Sequence, residues 1–546
     1  MTAMEPIGRR SLIVGAAASV AALRLRSAEL VLPRRAAVRL VGPPFTLGVA
    51  TGDPTSTGFV AWTRLAPDLE SDGGVGPDPV AVGWEVARDP GFAQVVRSGS
   101  VTAVAALAHT VHVDVGGLTP DGEWFVRFTA EGFDSPVGRA RTLPTSGTSP
   151  LRFGFVSCQS YPSGLYTALR GLAGEDCDLW LHLGDYIYEN AGTGPVRSHG
   201  DFECFSLAEY RRRYATYKSD PDLQAAHHSA PAIVVWDDHE VDNDYADEVQ
   251  EGGDPPAVFR ERRAAAYRAW FEHQPVRLAA PTGPDLQIYR QFAWGDLATF
   301  HMLDTRQYRD PTPCGGAFAD CPERTGVDRT ILGADQRSWL ADGLAGSDAV
   351  WDVVGQQVVF TPLPFGPAYN NDQWDGYPQD RDRVWDLLKG RPNPVVVTGD
   401  IHAAGVARLH ADLTDVETER IGTELVGTSV SSRFNPALAE AAETLIRGLP
   451  YVEYANARQR GYTVVDLTAE RMRADFKVVS DANVPGGTIS SAYVAEVEAR
   501  AAGEVPNGPP GPPGPPAPPV PSTPPAPSGP SAPPAAPISG AADFTG

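Results

Sequence analysis

Leu179-Trp180-Leu181-His182-Leu183-Gly184-Asp185-Tyr186-Ile187-Tyr188-Glu189 is a short apolar run that stops at a Gly-Asp pair and passes into two tyrosines. Its length and composition predict a buried strand followed at once by polar side chains. The same arrangement recurs where Ile233 to Trp236 runs into Asp237-Asp238-His239-Glu240, and where Val395 to Thr398 runs into Gly399-Asp400-Ile401-His402. A fourth run, Phe153-Gly154-Phe155-Val156, ends near Cys158. Open α/β sheets place ligand-binding residues at the carboxyl ends of their strands. Strand ends that deliver carboxylates, imidazoles, a phenol and a thiol to one edge predict a metal site.

The donor types divide in two. A Cys158 thiolate, a Tyr188 phenolate and the His402 imidazole suit a transition metal, and a phenolate favours Fe(III) over softer divalent ions. The Asp carboxylates and an Asn carbonyl suit a hard ion such as Ca²⁺, Mg²⁺ or Mn²⁺. Asp185 has two oxygens and can serve both positions, and Tyr188, three residues on, returns toward it. Asp238 and Asp400 complete the carboxylate-rich position, with Asn243 the weaker candidate. Two cations about 4 Å apart can clamp a phosphate, activate a water and stabilise the leaving oxygen. Phosphate ester hydrolysis needs all three, because its uncatalysed rate is so low. His239 can contact the phosphate or protonate the leaving group. A serine nucleophile is not indicated, since no Gly-x-Ser-x-Gly elbow is present.

Around these motifs the chain reads as alternating strands and helices from about 150 to 480. Helices are expected at Leu165 to Leu172, Ala257 to His273 and Ala334 to Gly343. Tyr289 to Trp294 and Leu297 to Leu303 flank Gly295-Asp296 as a hairpin. Strands are expected at Trp351 to Val354, Thr423 to Gly427 and Gly461 to Leu467, which gives mixed sheets covered by helices. Upstream, from about 44 to 145, short strands are expected at Gly58 to Arg64, Val80 to Val86, Thr110 to Val115 and Trp124 to Ala130. Their even spacing between turns predicts a β-sandwich. Gly117-Leu118-Thr119-Pro120-Asp121-Gly122 before Trp124-Phe125-Val126-Arg127 resembles a strand junction of fibronectin type III modules. This part carries no catalytic constellation, so packing or substrate positioning is its expected role.

The formal net charge is -23. It argues against a nucleic-acid or anionic-membrane surface, both of which need clustered Lys and Arg. Arg9-Arg10-Ser11-Leu12 precedes an apolar stretch to Leu23 that is too short to span a bilayer. Residues 1–35 look like a Tat export signal, with the Tat machinery as partner and a secreted or periplasmic destination. No later segment offers an apolar run of spanning length, so no transmembrane span is expected. Five cysteines leave at least one unpaired if bridges form. Cys314 and Cys321 suit a local disulfide, Cys177 and Cys204 suit a second, and Cys158 is then either an inert thiol or a ligand. Residues 503–546 are Pro-, Gly-, Ala- and Ser-rich and predict a disordered, polyproline-like tail.

The ordered motifs resemble a known pattern. Binuclear metallophosphoesterases use Asp-x-His, Gly-Asp, Gly-Asn-His and Gly-His-x-His at strand ends. Here Cys158 stands for the first Asp, Asp238-His239 for Asn-His and Asp400-Ile401-His402 for His-x-His. Those departures are shared by the PhoD-like alkaline phosphatase family, which the chain resembles from about 150 to 480. Matching stretches include Phe155-Val156-Ser157-Cys158-Gln159, Leu303-Asp304-Thr305-Arg306 and Glu424-Leu425-Val426-Gly427-Thr428-Ser429. The resemblance implies an α/β/β/α metallophosphoesterase sandwich behind a fibronectin-III-like domain. It implies Fe(III) held by Cys158, Asp185, Tyr188 and His402, and Ca²⁺ held by Asp185, Asp238 and Asp400. It also implies extracellular hydrolysis of phosphate monoesters and diesters at alkaline pH, by a protein expected to be a monomer.

Other residues receive structural readings. Tyr186 and His182 are expected in the core, His227 and His228 in a loop, and Asp304 with Arg306 in an ion pair near the site. Asp237 is expected to orient His239 or a metal ligand. Two competing functions stay open from sequence: a phospholipase D-type phosphodiesterase, and a non-enzymatic surface or adhesion protein with a vestigial site.

Overall fold

The computed structural model describes residues 40–500, apart from 41, 70–72, 251 and 317. The twin-arginine segment and the Pro-rich tail lie outside the described residues. Two sheets face each other. In the first, the parallel strands Leu151–Val156, Leu179–His182 and Ala232–Val234 lie side by side. Gly461–Leu467, Arg471–Val479 and Ile489–Glu498 extend that sheet antiparallel on one flank. The second contains the parallel run Ala298–Met302, Trp351–Gly355, Pro394–Thr398 and Asp415–Val426.

Period-two alternation assigns each strand two buried faces. Val395 and Val397 point into the core shared by the sheets, beside Phe153, Phe155, Phe300 and Val353. Val396 points the other way, into a cluster with Leu340, Val384 and Leu388. Those last residues belong to the helices Gly333–Ala345 and Pro378–Lys389, which cover the outer face. Helices Thr167–Ala173, Leu207–Lys218, Pro221–Ser229 and Pro256–His273 contribute Leu169, Tyr210, Leu223 and Trp270 over the first sheet. Helix, sheet, sheet and helix are therefore stacked in the expected order, and the predicted hairpin forms between Arg290–Trp294 and Ala298–Met302.

The four expected N-terminal strands form and are joined by others, in two sheets that meet where Thr51 Oγ1 donates to the Arg139 carbonyl at 2.8 Å. Val80–Ala87, Val95–Ala103, Glu123–Ala130, Phe133–Asp134 and Gly138–Arg141 make a sheet of their own. Val49–Thr55, Gly58–Arg64 and Thr110–Val115 instead continue the first large sheet, where Gly52 pairs in parallel with Ala232. Their side chains also close the end of the long helix. Trp62 and Thr110 donate to the Glu272 carbonyl at 3.0 and 2.9 Å, and a His112 ring nitrogen lies 2.9 Å from the Gln274 carbonyl. Helix C-termini leave carbonyls that need such donors.

Two expectations fail. Cys314 and Cys321 are bonded, but Cys177 and Cys204 are separate buried thiols. They lie at opposite ends of the strand Leu179–His182: Cys177 precedes it, whereas Cys204 donates its backbone N–H to Glu189, beyond the other end. His227 and His228 sit in the last turn of Pro221–Ser229 rather than in a loop. No helix among the described residues is long and apolar enough to cross a membrane.

Candidate metal centre

The strand ends converge. Cys158, Asp185 and His402 form one buried group, Asp185, Asp238 and His239 a second, and Asp237, Asp238 and Asp400 a third. Within each group one ligand atom per residue lies within 4.8 Å of the others. Asp185 and Asp238 each belong to two groups, so the three form one continuous patch. Tyr188 closes it: its hydroxyl donates to Asp185 Oδ2 at 2.8 Å, lies 3.1 Å from His402 Nε2, and accepts from Ser432 at 2.7 Å.

The backbone is bent to make this possible. Cys158, Asp185, Asp400 and His402 have φ of 58°, 53°, 66° and 54°. Non-glycine residues in this left-handed region cost of order 1–3 kcal/mol each, and such residues cluster at functional sites. The glycines of the two Gly-Asp pairs have no room for a side chain. A Cβ on Gly184 would lie 2.7 Å from the Asp237 backbone nitrogen, and one on Gly399 would lie 2.5 Å from Ser157 Oγ. Buried Glu240 ties the loops together by accepting backbone N–H groups from Asp185 at 3.0 Å, from Asp237 at 2.7 Å and from Tyr186.

Counter-charge comes from Arg306. Its guanidinium bonds Asp237, grips both oxygens of Asp372 at 2.6 and 2.8 Å, and reaches Asp400 and Asp238 at 3.5 and 3.6 Å. The expected partner was Asp304, which instead accepts the backbone N–H groups of Arg306 and Gln307 at 3.0 Å each. Arg306 is consumed by four carboxylates, all of them distant in sequence. Gln373 Nε2 donates to Asp400 Oδ2 at 2.6 Å.

His239 is held through Nδ1, 2.7 Å from Glu189, whose other oxygen accepts the Asn243 backbone N–H at 3.1 Å. Asp237, expected to orient His239 or a metal ligand, bonds Arg306 and stands beside Asp238 and Asp400 in the third group. Burial works against a charged His239, yet the carboxylates of Glu189, Asp238 and Asp185 more than offset it and hold the imidazole well above its ordinary range. His182 and Tyr186 are core residues as expected: the Tyr186 hydroxyl lies 2.7 Å from His227, and burial pushes His182 down to about 3. Glu189, Glu240, Asp372, Gln373 and Ser432 are the participants that sequence reading did not single out. The first two stood inside the quoted motifs, and their roles depend on partners in other loops.

These donors fit cations. Oxygens of Asp185, Asp237 and Asp238 are buried without a hydrogen-bond partner, although buried carboxylates are ordinarily paired or metal-bound. Burial and neighbouring charges push the Asp185 and Asp400 carboxyls, the Cys158 thiol and the Tyr188 phenol all well upward. So much acid in one place without enough donors is what positive ions would relieve. The patch opens on a cleft of about 650 Å³ lined by Tyr188, His239, Asn243, His402 and Arg433, among others.

Comparison with known proteins agrees with this geometry. A family model described as PhoD-like phosphatase matches residues 153–476, and one described as PhoD-like phosphatase, N-terminal domain, matches 32–144. Alkaline phosphatase D of Bacillus subtilis (strain 168) is 43% identical over 465 residues, covering 82% of this chain and 80% of that protein. A solved structure of PhoD superposes with a TM-score of 0.82 at 42% identity, covering 84% of this chain and 91% of that one. The chain belongs to the PhoD-like phosphatase family.

Proposed function

We propose that this chain is a metal-dependent alkaline phosphatase that hydrolyses phosphate monoesters and, in the same cleft, diesters. The observation that carries the proposal is the continuous patch of buried donors with orphaned carboxylate oxygens beside an open cleft. Cys158, Asp185, Tyr188 and His402 are assigned to Fe(III), which suits their thiolate, phenolate and imidazole donors. Asp185, Asp238 and Asp400 are assigned to Ca²⁺, with Asn243 as a further oxygen donor. Bound together, such cations supply Lewis acidity toward a phosphoryl oxygen and toward water.

The chain's own residues position and balance the reaction. Glu189 fixes the His239 ring through Nδ1, which suits His239 to touch a phosphoryl oxygen or to deliver a proton to the leaving oxygen. Ser432 orients the Tyr188 hydroxyl. Glu240 keeps the Asp185 and Asp238 loops in register. Arg306, occupied by four carboxylates, stabilises the acidic wall and is not available to the substrate. Residues 44–145 and 150–480 are retained as domain limits, the first a fibronectin-III-like domain in a packing role. Export through the Tat route and a monomeric state complete the proposal.

The phospholipase D-type and non-enzymatic readings are not favoured by the family match. Elemental analysis of native protein, alongside hydrolysis of p-nitrophenyl phosphate and bis-p-nitrophenyl phosphate, tests the proposal. Iron and calcium with turnover of the monoester are expected. A metal-replete preparation that cleaves neither ester would sink it.

A further inference from the structure

Beyond the carboxylates the local charge changes sign. The cleft shares His402, Ser432 and Arg433 with an adjoining cavity of about 430 Å³. Its polar wall includes Arg433, Arg458 and Arg460, with Glu440 and Asn483. Arg458 is occupied by Glu443 at 3.2 Å. Arg433 is not: its guanidinium donates to the neutral Asn483 side chain at 2.5 Å. Arg460 donates through Nε to the Ser431 carbonyl at 3.3 Å, and its buried Nη2 has no hydrogen-bond partner. Neither Arg433 nor Arg460 forms an ion pair with a carboxylate among the described residues. Asp481 acts on Arg460 only from a distance, and one of its oxygens accepts from Asn483.

Two neighbouring guanidiniums with no carboxylate bonded to them leave donors free for an anion. They stand out in a chain with 68 acidic and 45 basic residues. A guanidinium presents a planar fork of donors that matches phosphate and carboxylate oxygens. An orphaned Nη2 is one arm of such a fork left open. Because the cavity shares His402 with the cleft, one elongated molecule can occupy both.

We infer that the Arg433–Arg460 cavity is a second anion subsite, which takes a phosphate or carboxylate carried on the alcohol part of the ester. The inference rests on the esterase reading above and narrows its substrate class to esters bearing two anionic groups. Arg460 is the specificity-determining residue, since Arg433 also supports His402 through its backbone carbonyl, 3.3 Å from Nδ1.

The test uses the full-length metal-replete enzyme with propyl phosphate, the bisphosphate of propanediol and phosphopropanoate, following kcat/KM by phosphate release. The two doubly anionic esters distinguish a phosphate from a carboxylate at the subsite. For at least one of them, the wild type is expected to show about a tenfold or larger advantage over propyl phosphate, as a charge-assisted hydrogen-bonded contact provides. Arg460→Gln should collapse that ratio toward one, Arg460→Lys should restore part of it, and added salt should shrink it in the wild type. Equal kcat/KM for all three esters in the wild type, or a ratio unmoved by Arg460→Gln, would overturn the inference. Calorimetric binding of the bisphosphonate analogue of the propanediol ester, which cannot be hydrolysed, separates this failure from failure of the esterase reading. Arg460-dependent binding by a protein that cleaves none of the esters keeps the subsite and removes the esterase. Should Arg460→Gln not fold, Arg460→Lys and the wild-type substrate comparison decide the question between them.

Discussion

Asp185 and Asp238 each stand in two donor groups, so the centre is sensitive to single carboxylates in a way that a one-ion site is not. Asp185→Ala is expected to lose both metals together and to lower turnover by about a hundredfold or more. Elemental analysis showing one metal fully retained would contradict the bridging role. The Fe(III) assignment predicts a visible phenolate-to-iron band that Tyr188→Phe should remove, and a band that survives would count against Tyr188 as a ligand. Arg306 offers a stability test. Replacing it with Met leaves Asp237 and Asp400 buried without their counter-charge, while Asp372 keeps Arg309 at 2.6 Å, and the expected loss is about 3–5 kcal/mol in denaturant unfolding. The sequence made Asp185, Asp238, Asp400 and His402 legible because each follows a strand within its own motif. The Arg306 network was not legible, because Asp237, Asp372 and Asp400 reach it from three separate loops. Asp304, its apparent partner two residues away, is bonded by backbone instead.

At the scale of elements, strand ends and their turns carry the centre. Gly184→Ala puts a Cβ against Asp237 at a residue whose φ is 112°, so two of the loops must move apart. The expected outcome is a tenfold or greater weakening of metal retention during dialysis against chelator, with secondary structure by circular dichroism unchanged. Retention equal to the wild type would show that the loops tolerate the shift. Many of the strands and the helices Thr167–Ala173, Pro256–His273 and Gly333–Ala345 were readable from sequence pattern, whereas Pro378–Lys389 and Ala439–Arg447 were not expected. Leu207–Lys218 and Pro221–Ser229 were also overlooked, although both carry local start signals. Ser206 and Glu209 form a capping box, and Asp220 caps the second helix ahead of Pro221. In Leu207–Lys218 the periodicity is masked by buried Arg211, Arg213 and Lys218, which break the apolar stripe.

At the scale of the whole molecule, buried imidazoles set the response to acid. Burial pushes His112 and His228 down to about 4 and His182 to about 3, whereas unfolded histidines protonate near 6.5. The unfolded chain therefore binds more protons than the folded one below that pH. Stability is full above about pH 6.5 and is lost as pH falls toward 4, by about 3 kcal/mol for each ring held near 4. Denaturant midpoints compared at pH 7.5 and 4.5 should show the drop, and coincident midpoints would refute it. The N-terminal sheets show where pattern reading stops. Pattern located Gly58–Arg64, Val80–Ala87, Thr110–Val115 and Glu123–Ala130, but missed Val49–Thr55, whose place is set by pairing with Ala232, far along the chain.

That junction has a consequence for ancestry. Because Val49–Thr55 hydrogen-bonds directly to Ala232–Val234, removing the N-terminal strands would bare an unpaired sheet edge just upstream of the Asp237–Glu240 turn, an invitation to sticking between molecules. The two parts share one sheet and are therefore expected to behave as a single piece when modules are exchanged between genes.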